Sequence, residues 1–253
     1  LDVPINAVLA ALLANDPKDK CQQVAALSLE DVFTGEDVAW RVPGRPERPA
    51  LVSPKDVPQR GLGSAAGRAA LLHAVAHIEF NAINLALDAA WRFKGLPESY
   101  YQDWLSVAKD EARHFGLVQQ RLQALGFAYG DFPAHNGLWE AAEKTRHDVL
   151  VRMACVPRVL EARGLDVTPA MIVRLEQVQD PDSAAVLKII LAEELGHVAI
   201  GSRWFLYFCQ ARGLAPEATF KQLLQDYGMV LKPPFNTEAR LQAGFSLEEF
   251  SPA

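Results

Sequence analysis

Apolar residues recur at three- and four-residue intervals through most of this 253-residue chain, and prolines and glycines cut the pattern into helix-length pieces. Residues 4–14 and 17–29 predict two short helices, each opened by a proline. From Gly35 to Gly63 the periodicity disappears. Pro43, Pro46, Pro49, Pro54 and Pro58 forbid a long helix there. The interspersed Trp40, Val42, Leu51 and Val52 predict that part of this extended arm lies on the helical body. Ser64 then caps a long helix over 65–93, and KGLP (94–97) forms a stop-and-restart turn. A second long helix covers 98–125, and 126–137 is a loop. A third helical stretch runs from Leu138 to about Gly164 and should kink or break near Pro157, with a short helix restarting at Asp166–Pro169 and ending near Gln179. DPDS (180–183) opens another long helix to Ala211. A helix over 216–229 and an irregular tail with Pro233 and Pro234 complete the chain. The expectation is an all-α fold: N-terminal helices and Pro-rich arm (1–63), a four-helix bundle (64–211), and a C-terminal helix and tail (212–253).

Half of the residues are hydrophobic and 22% are charged, as in ordinary globular domains. The formal charge of −6 gives no global attraction to nucleic acid or anionic membranes. Arg41, Arg45, Arg48, Lys55 and Arg60 make one local basic cluster in the arm. Charged residues and histidines interrupt the apolar runs, so no membrane span is expected. Cys21, Cys155 and Cys209 have no CxxC spacing, which fits buried thiols in a reducing compartment. A cytoplasmic location is the expectation.

Chemistry enters through two Glu-x-x-His steps, Glu111/His114 and Glu194/His197. Each follows a lone glutamate at nearly the same distance: Glu79 stands 32 residues before Glu111, and Glu161 stands 33 before Glu194. This is the ligand order of a carboxylate-bridged two-metal site inside a four-helix bundle. Residues three apart share a helix face, so each step can offer an oxygen and a nitrogen to one ion. Glu79, Glu111 and Glu194 sit within apolar stripes, whereas Glu161 lies beside Pro157 on a less regular face. A buried carboxylate must be neutralised, and two divalent cations balance four glutamates. Glu79 lies 14 residues before Phe93 and Glu111 lies 13 after Glu98, so an antiparallel pair sets them level. For Glu161 and Glu194 the corresponding distances do not match, because Glu161 falls near its expected helix end.

Asp110 and Glu193 each precede a motif histidine by four residues and are candidates to orient its ring. Arg158, one turn before Glu161, is a third supporting candidate, with a structural ion pair as the plainer reading. His77 points about 200° around the helix from Glu79, so it and His73 are expected to be hydrogen-bonded structural residues.

DEARHF (110–115) has the D-E-x-R-H form of di-iron carboxylate proteins. Together with 73–93, 159–169 and 193–205, it resembles a bacterial ferritin-like family of unknown function, itself distantly similar to tRNA isopentenyl-adenosine hydroxylases. The second motif departs from that form, with Glu193 for the Asp and Gly196 for the Arg. The resemblance implies a ferritin-like bundle with metal ligands at Glu79, Glu111, His114, Glu161, Glu194 and His197. Val118 stands where the related ribonucleotide reductase small subunits place a radical tyrosine, which counts against tyrosyl-radical chemistry. Mixed carboxylate and imidazole ligands suit Fe, or Mn. The leading expectation is an O2-dependent, non-haem di-iron oxidoreductase that hydroxylates or oxidises a small molecule, served by a separate reductase and compatible with a homodimer. The alternatives are a tRNA-nucleoside hydroxylase, which the negative charge disfavours, a non-enzymatic iron-handling protein, and a redox-inert Zn or Mg scaffold.

Overall fold

A computed structural model describes residues 4–250. All regular structure among them is helical, apart from two isolated bridges, Ile5 with Glu36 and Leu51 with Ala134. The chain divides into two compact units, Leu1–Trp139 and Glu140–Ala253.

The first unit opens with α1 (Ala7–Leu13) and α2 (Pro17–Ala26). Helix α1 begins later than the proline at 4 suggests, because Asn6 caps it. Its side chain accepts from Leu9 N–H at 3.1 Å and donates to the Thr34 carbonyl at 2.7 Å. Lys20 on α2 is buried and donates to the carbonyls of Ala11 and Leu12 at 3.0 and 2.7 Å, which satisfies the end of α1. The Pro-rich arm lies on this unit, as its apolar residues predict. Val52 N–H donates to Ala134 O at 2.8 Å, and Trp40 packs on Trp91 and Trp139 at 5.6 and 5.9 Å. Gly44 is required where the arm meets α1, since a Cβ there would stand 2.1 Å from the Leu13 carbonyl oxygen.

Two long helices, α3 (Ala65–Arg92) and α4 (Glu98–Ala124), form the core of this unit and match the expected boundaries within a residue. Ser64 caps α3 through Gly67 N–H at 3.1 Å, and Gly95, at φ +73°, turns the chain between the helices. Tyr100 and Tyr101 lock the α4 start to the α3 end by donating to the carbonyls of Ala89 and Phe93. By length and composition α3 could cross a membrane, contrary to the expectation that no stretch qualifies. Its most apolar window has a mean hydropathy of 1.3, and 72% of that window is buried inside the protein. It is the core helix of its unit, with Glu79 and Asp88 also buried.

Helix α5 (Gly137–Lys144) spans the unit boundary. In the second unit, α6 (Val149–Cys155), a π-helical turn (Val156–Glu161) and α7 (Ala162–Gln177) form one continuous helical run. The irregularity expected near Pro157 takes the form of a π turn, whereas the expected helix end near Gly164 and restart at Asp166–Pro169 are corrected. A wide π turn lets the Pro157 ring sit inside the run without meeting the preceding carbonyls. Pro169 deprives the Leu165 carbonyl of its helical donor, and Asn236 Nδ2 supplies one at 3.2 Å. Thr145–Asp148 is instead the real interruption, where Asp148 caps α6 through Leu150 N–H at 2.7 Å.

Helix α8 (Pro181–Ala211) packs along α7 and the π turn, capped by Asp180 through Ser183 N–H. It comes very close at one point: a Cβ on Gly201 would lie 2.3 Å from the Pro157 ring. Helix α9 (Pro216–Asp226) and two short helices, α10 (Thr237–Gln242) and α11 (Leu247–Phe250), follow. The last two replace the expected irregular tail. Buried ion pairs hold them: Arg158 donates to both oxygens of Glu249 at 3.0 and 2.8 Å, and Arg240 to Asp166 at 2.9 and 2.6 Å. The Arg158 guanidinium also lies over Phe205, Phe220 and Phe245, 4.3–4.6 Å from each ring centre.

Substitutions at two positions test this packing. Gly201→Ala should lower stability by about 1–3 kcal/mol in urea unfolding, because the rigid Pro157 ring must move; an unchanged midpoint would contradict the contact. Arg158→Met should cost about 3–5 kcal/mol by stranding Glu249, and Arg158→Lys should recover only part of it.

Candidate metal centre

Three apolar stripes, on α3, α4 and α8, carry five of the six residues that the sequence singles out, and Glu161 lies at the end of the π turn. On α3 the buried Leu72, Val75, Ala76, Ile83 and Ala86 surround Glu79. Val107, Ala108, Phe115 and Val118 on α4 do the same for Glu111 and His114. The five-residue turn between these helices makes them antiparallel and brings Glu79 level with the Glu-x-x-His step. His114 Nδ1 lies 3.1 Å from Glu79 Oε2 and 3.4 Å from Glu111 Oε2. One ligand atom from each of the three lies within 4.8 Å of the others. That span suits donors gathered around one ion at about 2.0–2.3 Å from each.

Electrostatics point the same way. Glu111 and His114 are fully buried and Glu79 is 3% exposed. Burial works against a charged imidazole at His114. Hydrogen bonds to Glu111 and Glu79, and the charges of those carboxylates, outweigh it and push the ring up to about 10. The cluster is therefore a place where two buried carboxylates stabilise positive charge, and a divalent cation answers that demand more fully than one proton.

In the second unit, α8 repeats the step. Glu194 and His197 are buried, with His197 Nδ1 3.2 Å from Glu194 Oε2, beside Leu187, Ile190 and Val198. Glu161 is half-buried and is the last residue of the π turn. Because the helical run continues, Glu161 lies 16 residues before Gln177 and Glu194 lies 13 after Pro181. At ~1.5 Å per residue the two differ by about one turn along antiparallel helices. The height mismatch expected from the sequence thus shrinks, and its cause was the assumed helix end at Gly164. The Pro157–Gly201 contact sets the local helix separation, one turn before Glu161 and one after His197.

The supporting candidates separate on inspection. Arg158 is committed to Glu249, and also donates through Nε to Ser202 Oγ at 3.1 Å. Asp110 is partly exposed and pairs with Arg113 at 3.3 Å, and Glu193 is half-buried. His73 and His77 are hydrogen-bonded as expected: His73 Nε2 accepts from Gly130 N–H at 2.9 Å, and His77 contacts Tyr129 Oη and the His135 carbonyl at 2.8 and 3.0 Å. The sequence reading missed a second polar stripe on α3, formed by His77, Asn81 and Asn84. All three are buried, and their i, i+4, i+7 spacing was the available signal.

Comparison with known proteins finds similarity over nearly the whole chain. An uncharacterized protein of Haemophilus influenzae is 46% identical over 266 residues, covering 96% of this chain and 90% of that protein. No solved structure matches the chain. Residues 13–251 match the family described as "Protein of unknown function (DUF455)". That match takes in all the candidate ligands, and the chain belongs to this family.

Proposed function

We propose that Glu79, Glu111, His114, Glu161, Glu194 and His197 together hold two divalent metal ions, iron in the native protein, within a ferritin-like four-helix arrangement. The protein then acts as an O2-dependent oxidoreductase on a small organic substrate. The observation that carries this reading is the buried Glu79–Glu111–His114 cluster, with its donor atoms within 4.8 Å of one another. The repeated step Glu194/His197, at nearly the same nitrogen-to-oxygen distance, supports a second ion. So does the charge balance of four glutamates against two divalent cations.

Iron bound by such ligands supplies one-electron redox chemistry and positions open to dioxygen. The chain's own part is to place and insulate it. Antiparallel α3 and α4 fix the first three donors without any loop, which keeps their geometry rigid. The buried Val107, Phe115 and Val118 keep water from the carboxylates, so charge changes in the site are felt strongly. In the overall reaction one oxygen atom of O2 enters a substrate C–H bond and the other leaves as water. Two electrons and two protons come from a separate reductase.

Metal analysis of the purified protein should find two ions per chain. Glu111→Gln and Glu79→Gln should each lose at least one while circular dichroism stays unchanged; full loading in both variants would refute the site. Chemically reduced, iron-loaded protein should consume O2 within seconds. A reduced two-iron form that is stable in air would leave metal binding intact and exclude the oxidase reading.

A further inference from the structure

The first unit contains a cavity of about 260 Å³, walled by the Pro-rich arm, one face of α3 and the Tyr129–Trp139 segment. It is not the metal site. His77, Asn81 and Asn84 line it from α3, and each points about 140–160° around the helix from Glu79.

Most polar groups in its wall are occupied by the protein. The His135 carbonyl can only accept, so His77 Nε2 carries the proton and donates to it, and Nδ1 accepts from the Tyr129 hydroxyl. Burial holds this imidazole neutral, with its pKa down to about 4. The Asn81 amide donates to the His77 carbonyl at 2.9 Å. Besides the half-buried Asn136 amide, two buried wall groups remain. Asn84 is 1% exposed and its Oδ1 has no protein partner; Trp139 is 3% exposed and its Nε1–H has none. Buried polar groups are seldom left unmet, so these two are the wall groups that a ligand can satisfy.

The remaining lining fixes the ligand's chemistry. Phe80, Tyr129 and Trp139 offer aromatic surface, which favours a flat molecule. A primary carboxamide such as Asn84 is matched in either orientation by a ring lactam, which presents N–H and C=O side by side. The Trp139 indole needs a further acceptor. Arg45 is exposed and also lines the cavity, and its Nη1 donates to the Pro46 and Pro49 carbonyls at 3.3 and 3.4 Å. It places a cation at the exposed side of the cavity. The volume, below the usual range for drug-sized ligands, limits the occupant to one or two rings.

We propose that this cavity binds a planar ring lactam of nucleobase size bearing an anionic group, with Asn84 and Trp139 reading the ring edge and Arg45 the anion. The site stands independently of the metal reading, because none of the candidate ligands lines it.

Orotate, with uracil as its anion-free counterpart, probes the site by calorimetry on the full metal-loaded chain. Orotate should bind with a Kd below about 1 mM. Asn84→Leu and Trp139→Phe should each weaken it about tenfold, and Arg45→Gln should bring orotate down to the affinity of uracil without changing uracil itself. Metal content and circular dichroism should stay unchanged in all three. Binding of neither compound at about 10 mM would overturn the proposal, as would Asn84→Leu and Trp139→Phe variants that bind orotate like the parent. Arg45→Gln changes an exposed side chain and folds regardless, so orotate affinity unchanged in that variant would by itself overturn the anionic part.

Discussion

Two carboxylates pressed against one imidazole in a dry helical core set the terms for the first unit. Glu79, Glu111 and His114 are removed from water, and a charge so placed costs several kcal/mol unless an opposite charge lies in contact. That requirement demands helices long enough to hold the groups well away from their frayed ends. It also demands a register that is right to within one residue. A tight Gly95 turn and the two tyrosines that tie α4 to the end of α3 provide it. The arm and α1–α2 then extend the apolar cover of the unit, and the buried Lys20 closes the end of α1.

The second unit meets a similar demand by different means. Pro157 inside a long helical run would ordinarily break it. A π turn absorbs the ring, and Gly201 lets α8 approach that turn closely. Glu161 ends the turn, so the irregularity directly shapes how that carboxylate is presented. The C-terminal segment contributes through buried arginines rather than periodic apolar contacts. Arg158 and Arg240, each among phenylalanine rings, tie α10 and α11 back to the helical run.

Much of this could be read from the residues alone, and the failures have identifiable causes. The boundaries of α3 and α4 follow from Ser64, Gly95, Pro97 and Gly126, each acting locally. The Glu79–Glu111–His114 cluster follows from helix rise and a short turn. The continuous run through Pro157 and Pro169 could not be read, because its compensation is tertiary: a π turn against Gly201 and an amide from Asn236, far along the chain. Helices of six and four residues leave no periodic trace, so α10 and α11 were hidden as well. For Arg158, one turn before Glu161, the plainer reading of a structural ion pair holds, but its partner could not be named from the sequence. That partner, Glu249, lies 91 residues away.

In the proposed function both Glu-x-x-His steps, together with Glu79 and Glu161, serve a single pair of ions. Anomalous diffraction at the iron edge, from crystals of iron-loaded protein, tests it most directly. Two peaks less than about 4 Å apart are predicted, one bound by Glu79, Glu111 and His114 and the other by Glu161, Glu194 and His197. A single peak, or peaks away from these six residues, would contradict it.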